Sequence, residues 1–313
     1  MTTMKVLSPG MMTTIQDLGR FGYQRLGIAP AGAMDTYSLR LANLLAGNQP
    51  GAACLEITLL GPQLEFTGPA GIALTGADLT PQLNGKPIEM WATVTVSKGD
   101  VLGFGTARSG CRAYLACGGG IDVRPVLGSR ATLTRAGLGG TQGRPLAMGD
   151  EIRIGPVAAP APVIRAPSVY RREYAGRFTA RIIPGPQDDF FAPETLALFA
   201  SSAFTVRKES DRMGVRLAGP RLVHRKGPDI VSDALVLGSI QVPGDGYPIV
   251  MAADRPTTGG YPKIGTVITP DMDGLGQLRP GDEVRFAAVS LEQADRIYRH
   301  YVTTFTRFPA GGT

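Results

Sequence analysis

Between Ala253 and Pro262 the chain reads ADRPTTGGYP, which puts an acid, two hydroxyls, two glycines and a tyrosine into one short segment. A loop that only turns does not need Asp254, Thr257, Thr258 and Tyr261 together, and loops held by a rigid scaffold are where function concentrates. Asp254 and Tyr261 are candidate catalytic residues, because a carboxylate or a phenol can move protons. Thr257 and Thr258 offer uncharged donors and acceptors, and Gly259 and Gly260 let a ligand approach the main chain. Gln241, in GSIQVPGDGYPIV, joins them as a substrate-binding candidate. Arg212 and Arg216, in SDRMGVRLAGP, can grip a carboxylate or phosphate in two-pronged fashion. Four apart, they are expected to face one side of a strand. A buried acid without a partner is costly, so Asp254 is expected to face an arginine or a substrate N–H. The alternative is a structural acid–arginine pair, Arg255 included.

A second concentration of polar residues is TTIQDLGRFGYQRLGIAPAGAMD, Thr13 to Asp35. Gln16, Asp17, Arg20 and Asp35 stand there among glycines. Arg20 is a candidate anion binder. Asp35 is a third candidate catalytic residue and also a candidate helix cap. Asn43 in ANLLAGN and Glu56 in LEITLL are further substrate-binding candidates. Each of these residues taken alone is equally readable as a brace for a loop or cap.

Other chemistries have no signal. His224, in RLVHRKG, is expected to be exposed, and His300, on the last helix, structural. Two isolated histidines make no usual zinc site, and neither HExxH nor GxxxxGK[ST] occurs. Cys54, Cys111 and Cys117 match no metal-ligand spacing, so they read as small buried hydrophobes and no metal is predicted in this chain. The first residues contain no apolar signal-peptide core, and no stretch approaches the ~20 apolar residues that span a bilayer. A cytoplasmic protein with reduced thiols is the expectation, with no membrane partner. The net charge of +6 is dispersed, without a run of five basic residues. That argues against a nucleic-acid footprint and suits a small anionic substrate or an acidic partner.

The elements that must position these residues are mostly strands. The 42 glycines and 25 prolines are scattered between short apolar runs across 313 residues, the pattern of a mostly-β protein with few helices. GDVLGF at Gly99, GDEIRI at Gly149 and GDEVRF at Gly281 share one design, a Gly-Asp turn followed by alternation. Their recurrence in both halves suggests two related β-modules. Asp35 is predicted to cap a helix through Leu45, with Gly47 ending it. Pro193 is predicted to open a second helix, carrying Leu196 and Phe199. Ser290 and Gln293 form a capping box for a third. GPVAAPAPVIRAP, Gly155 to Pro167, is stiff and extended. It divides the chain into modules at 1–155 and 168–313, with the connector at 156–167.

The polar segments also carry a resemblance. TTIQDLGRFGYQRLGIAPAGAMD, ANLLAGN, LEITLLGPQLEF, SDRMGVRLAGP, GSIQVPGDGYPIV, DRPTTGGYPKIGTVI and LGQLRPGDEVRF occur in the order found in the allophanate hydrolase subunit 2 (carboxyltransferase-like) family. The chain is similar to that family from Thr13 to Phe286. The resemblance implies two tandem cyclophilin-like β-barrel modules. It implies one component of an ATP-dependent 5-oxoprolinase, which opens the lactam of 5-oxoproline to glutamate. Its partners would be a sister B subunit of related fold and an A subunit of the LamB/YcsF type, with ATP used by the complex. Two alternatives follow from the same family: a carboxyltransferase of urea-carboxylase type that takes its carboxyl group from biotin on another chain, and a regulator that binds a B-subunit homologue, itself a kinase inhibitor. No biotinyl-lysine Met-Lys-Met is present.

Overall fold

The structure, a computed structural model, describes residues 2–156 and 163–309. The chain divides into two compact units. Met1–Arg20, Ala31–Tyr174 and Phe305–Thr313 form the first; Phe21–Pro30 and Ala175–Thr304 form the second. Residues 157–162, the middle of the expected connector, lie outside the described residues.

The first unit is built from two antiparallel sheets. One runs in the order Glu151–Arg153, Thr3–Ser8, Gln63–Phe66, Val101–Gly103, Gln82–Leu83, Lys86–Pro87. The other runs Met12–Gln16, Cys54–Thr58, Ser109–Cys117, Ala70–Asp78, Thr93–Val96. Met4, Val6, Leu64 and Phe66 of the first sheet share one core with Ile15, Leu55, Ile57 and Leu115 of the second. Side chains alternate along a strand, so the row Leu55–Leu115–Leu74 faces this core. The adjacent row, Glu56–Tyr114–Thr75, faces the other way. That second row is covered by the helix Thr36–Leu45, which packs on the strands carrying Tyr114 and Thr75.

In the second unit seven strands close into a barrel. Their order is Arg177–Pro184, Lys263–Val267, Ser239–Gln241, Ile249–Met251, Gly214–Ala218, Phe204–Val206, Glu283–Ala288. The first and last pair in parallel, which completes the circle. Ala180, Phe204, Leu217, Ile240, Val250 and Val284 are buried in a core of their own. The helix Pro193–Ser201 adds Phe199, stacked on Phe286 with ring centroids 4.7 Å apart. A two-stranded ribbon, Asp233–Ala234 against Thr258–Gly259, stands apart from the barrel strands. The protein is thus mostly β, as the composition implies. Closure into a barrel belongs to the second unit, while the strands of the first are shared between two sheets.

The local signals took the expected form. Gly99, Gly149 and Gly281 have φ of 87°, 86° and 92°. After them Asp100, Asp150 and Asp282 each accept a hydrogen bond from the backbone N–H three residues earlier, and a strand follows. Asp35 caps the helix Thr36–Leu45 through Ser38 N at 2.9 Å. Ser290 and Gln293 bond reciprocally at the start of the helix Leu291–Thr306. The helix Thr269–Leu275 was not expected from the sequence, although Pro270 stands in its first turn. No described helix is long and apolar enough to cross a membrane.

Candidate functional site

The polar residues of the first unit are turned inward on the fold itself. Gln16 Nε2 donates to Thr14 Oγ1 and to the carbonyl of Thr132. Asp17 accepts from Ser129 Oγ and Arg130 N, and buried Arg20 donates to the carbonyl of Ala131. These three residues therefore hold the segment 129–132. Asn43 donates to the carbonyls of Leu39 and Ala52 and accepts from Asn48, which fixes the end of the helix to the strand that follows.

Asp35, Glu56 and Tyr114 form one buried chain under the helix Thr36–Leu45. Glu56 Oε2 accepts from Tyr114 Oη at 2.8 Å and from Met34 N at 2.8 Å. Tyr114 Oη in turn accepts from Asp35 N, and Arg112 stands 3.8 Å from Glu56 Oε1. Asp35 uses its carboxylate on Ser38 N, Ser38 Oγ at 2.7 Å and Tyr174 Oη at 3.3 Å. Burial, reinforced by the charge of Glu56, pushes the Tyr114 phenol well above its ordinary value. Tyr114 and Arg112 were not singled out in the sequence. Their alternation within an apolar strand concealed them, since only the topology shows which face the helix covers.

The second unit gathers the other candidates around the ribbon. Arg212 and Asp254 form a buried two-pronged pair, Nε to Oδ2 at 3.0 Å and Nη2 to Oδ1 at 2.9 Å. Arg216 does not join them. The expectation that both arginines face one side fails because the strand begins only at Gly214. Before it, Asp211 accepts from Met213 N and Gly214 N and makes a turn. Arg212 is thereby buried and Arg216 exposed. His224 is half-buried instead of exposed, bonded to the carbonyl of Val242 at 2.9 Å and lying against the ring of Phe191.

Gln241 and Lys263 are direct partners on neighbouring antiparallel strands, so their side chains lie side by side. Both are buried, on the face turned away from the core residue Ile240. The ribbon covers that face. Lys263 Nζ donates to Asp233 Oδ2 at 2.7 Å. The bond to Lys263 holds the Asp233 carboxyl below the usual carboxylate range. Gln241 Nε2 donates to the carbonyl of Tyr261 at 3.3 Å. A side chain at Gly259 would come within 2.5 Å of the Gln241 carboxamide, so glycine lets the ribbon lie directly on it. Backbone bonds from Ile230 N to Gly260 O and from Leu235 N to Thr257 O extend the ribbon at both ends. Thr257 is half-buried, Thr258 exposed and the Tyr261 side chain 40% exposed. Arg255, next to Asp254, is 6% exposed and among the described residues reaches only the carbonyls of Leu235 and Ala252, at 3.3 and 3.4 Å. Desolvation pulls its guanidinium down to about 10, which leaves it charged at neutral pH.

Lys263, Arg255, the Gln241 carboxamide and main-chain groups are the donors and acceptors this region offers a small polar molecule, and the Tyr261 side chain is exposed. Among the described residues no group of three or more histidines, cysteines or acids could hold a metal ion. Lys263, Asp233 and the isolation of Arg255 were missed in the sequence. A lysine inside the apolar run PKIGTVI was the available signal.

The model of the carboxyltransferase domain, subdomains A and B, matches residues 26–288. The chain belongs to this family. It is 38% identical over 291 residues to the C subunit of 5-oxoprolinase from Escherichia coli (strain K12), covering 93% of each chain. It is 37% identical to the urea amidolyase of Lachancea kluyveri, covering 94% of this chain but 17% of that much longer protein. The crystal structure of Kluyveromyces lactis urea carboxylase superposes with a TM-score of 0.93 at 34% identity, over 99% of this chain and 29% of the other.

Proposed function

We propose that this chain is the C subunit of a 5-oxoprolinase, acting with A and B subunits to hydrolyse 5-oxoproline (pyroglutamate) to L-glutamate at the expense of ATP. The observation that carries the reading is the end-to-end match: the C subunit of the Escherichia coli enzyme is covered to 93%, the urea amidolyase to 17%. The chemistry required is attack on a weakly electrophilic amide carbonyl, with negative charge developing on its oxygen. Fixed donors lower the cost of that charge. Lys263 and Gln241 are such donors, held side by side by strand pairing. Tyr261, whose side chain is exposed and whose carbonyl meets Gln241, is the group assigned to move a proton to the departing ring nitrogen.

Two cations and a carboxamide suit one carboxylate or one amide. A magnesium nucleotide is usually held by carboxylates as well. The reading therefore leaves ATP to the complex and derives no step through it. Three free, buried cysteines fit a reducing cytoplasm. Co-expression with candidate A and B subunits, followed by assay of ATP-dependent glutamate release, tests the reading. The full set is expected to release glutamate and the isolated chain is not. Glutamate formation by the chain alone, or a complete complex inert towards 5-oxoproline, contradicts it.

The close superposition on urea carboxylase supports a second reading, carboxyl transfer from biotin borne by another chain. Urea-dependent loss of the carboxyl group from carboxybiotin in the presence of this chain would favour it over the first.

A further inference from the structure

Under the ribbon one charge stands unbalanced. Asp254, the acid nearest in sequence, is spent on Arg212 in a complete two-pronged pair. Arg255 is left with two long bonds to carbonyls, and no acid among the described residues lies within ion-pair distance of it. Burying a guanidinium without a counter-charge is expensive. Arginine remains protonated in proteins, so the cost persists in the free protein.

Lys263 adds a second cation. Its ammonium has three donors, and Asp233 Oδ2 takes one. Asp233 itself is half exposed, with its side chain at 50%. Arg255 touches the carbonyl of Leu235, and Lys263 touches the side chain of Asp233. The two cations therefore engage one extended segment two residues apart, about 6.6 Å of strand rise. Beside Lys263 lies the Gln241 carboxamide, and Gly259, where the absence of a side chain keeps the main chain close, rests on it.

We propose that Arg255 and Lys263 form a binding site for the carboxylate of a small substrate, beneath the ribbon of Asp233–Ala234 and Thr258–Gly259. The site rests on the oxoprolinase reading only for the identity of the carboxylate, which is then that of 5-oxoproline. The planar fork of Arg255 takes the two carboxylate oxygens. Lys263 then donates to the same group or to the ring carbonyl beside it. Asp233 shares Lys263 with the ligand, so binding loosens the ribbon's hold on it.

The test is calorimetric titration of the full chain with 5-oxo-L-proline, with its neutral carboxamide and with acetate. The same titrations are run on Arg255→Gln, Arg255→Lys and Lys263→Met. Arg299→Gln, on the exposed face of the last helix, is the control. Saturable binding of 5-oxo-L-proline is expected, at least tenfold weaker for the carboxamide. Arg255→Gln is expected to bind at least tenfold more weakly, and Arg255→Lys to recover part of the loss if Arg255→Gln fails to fold. Equal affinity for acid and carboxamide, no saturable binding, or unchanged binding by the Arg255 variants overturns the site. If acetate binds as tightly as 5-oxo-L-proline, the carboxylate site stands and its assignment to 5-oxoproline falls. If the complete complex carrying Arg255→Gln keeps the wild-type KM for 5-oxoproline, the site falls while the function stands.

Discussion

Asp254 and Arg255 are adjacent in the chain, yet the carboxylate is matched by Arg212 while the guanidinium meets only carbonyls. The first arrangement stabilises the fold; the second leaves charge available for a ligand. Glu56 and Tyr114 show the other extreme, a buried polar chain in which each group serves the next. Removing one member of such a chain leaves its partner short of a bond, which costs about 1–3 kcal/mol. Tyr114→Phe is expected to lower the unfolding free energy by that amount, read as a lower urea midpoint at an unchanged denaturant slope, because the surface exposed on unfolding stays the same. An unchanged midpoint would show that the phenol is not part of the hold on the helix Thr36–Leu45. Asp233 gives a pH dependence. Its folded-state value lies below the unfolded one, so the bond to Lys263 is present above the ordinary carboxylate value of about 3.9. It is lost only as pH falls through the lower, folded value. The Asp233 carboxyl resonance should titrate below about 3.9 in the wild type. In Lys263→Met it should move back towards that value; coincident curves would mean that the two side chains do not meet in solution.

At the scale of elements, what could be read from sequence was what is local. The capping box of Ser290 and Gln293 is complete within four residues, and each Gly-Asp turn closes on a backbone N–H three residues away. The Thr13–Asp35 and Ala253–Pro262 segments stood out because acids and hydroxyls crowded among glycines. What joins them to their partners could not be read. Lys263 meets Asp233 across 30 residues, and Arg212 meets Asp254 across 42. No periodicity reports such pairings. Strand boundaries mattered as much: Arg212 and Arg216 diverge because the turn at Asp211 delays the strand until Gly214. The ribbon offers an element-scale prediction. In Gly259→Ala the new methyl meets the Gln241 carboxamide, the flexible end of a side chain. The melting temperature should therefore fall only slightly. The displaced carboxamide should nevertheless weaken 5-oxoproline binding or raise KM severalfold. Full retention of KM would remove Gln241 from the site.

At the scale of the whole molecule, two units with separate hydrophobic cores carry two kinds of polar cluster. The cluster of the first unit is buried and bonded largely within the fold. The cluster of the second is roofed by a ribbon in which Asp233, Ala234 and Thr258 are open to solvent. A region with few buried contacts is the kind that opens at low cost, which suits admission of a substrate. The central claim is that the loop from Asp254 to Tyr261 serves a site and is not merely a turn. Thr258 is exposed and Tyr261 partly so, and exposed polar groups contribute little to stability. The most direct measurement pairs the unfolding free energy of Thr258→Ala and Tyr261→Phe with glutamate release by the complete complex containing each variant. The account predicts stability within about 1 kcal/mol of the wild type and turnover lowered tenfold or more, about 1.4 kcal/mol of transition-state stabilisation. Variants that melt early yet turn over at the wild-type rate when folded would contradict it.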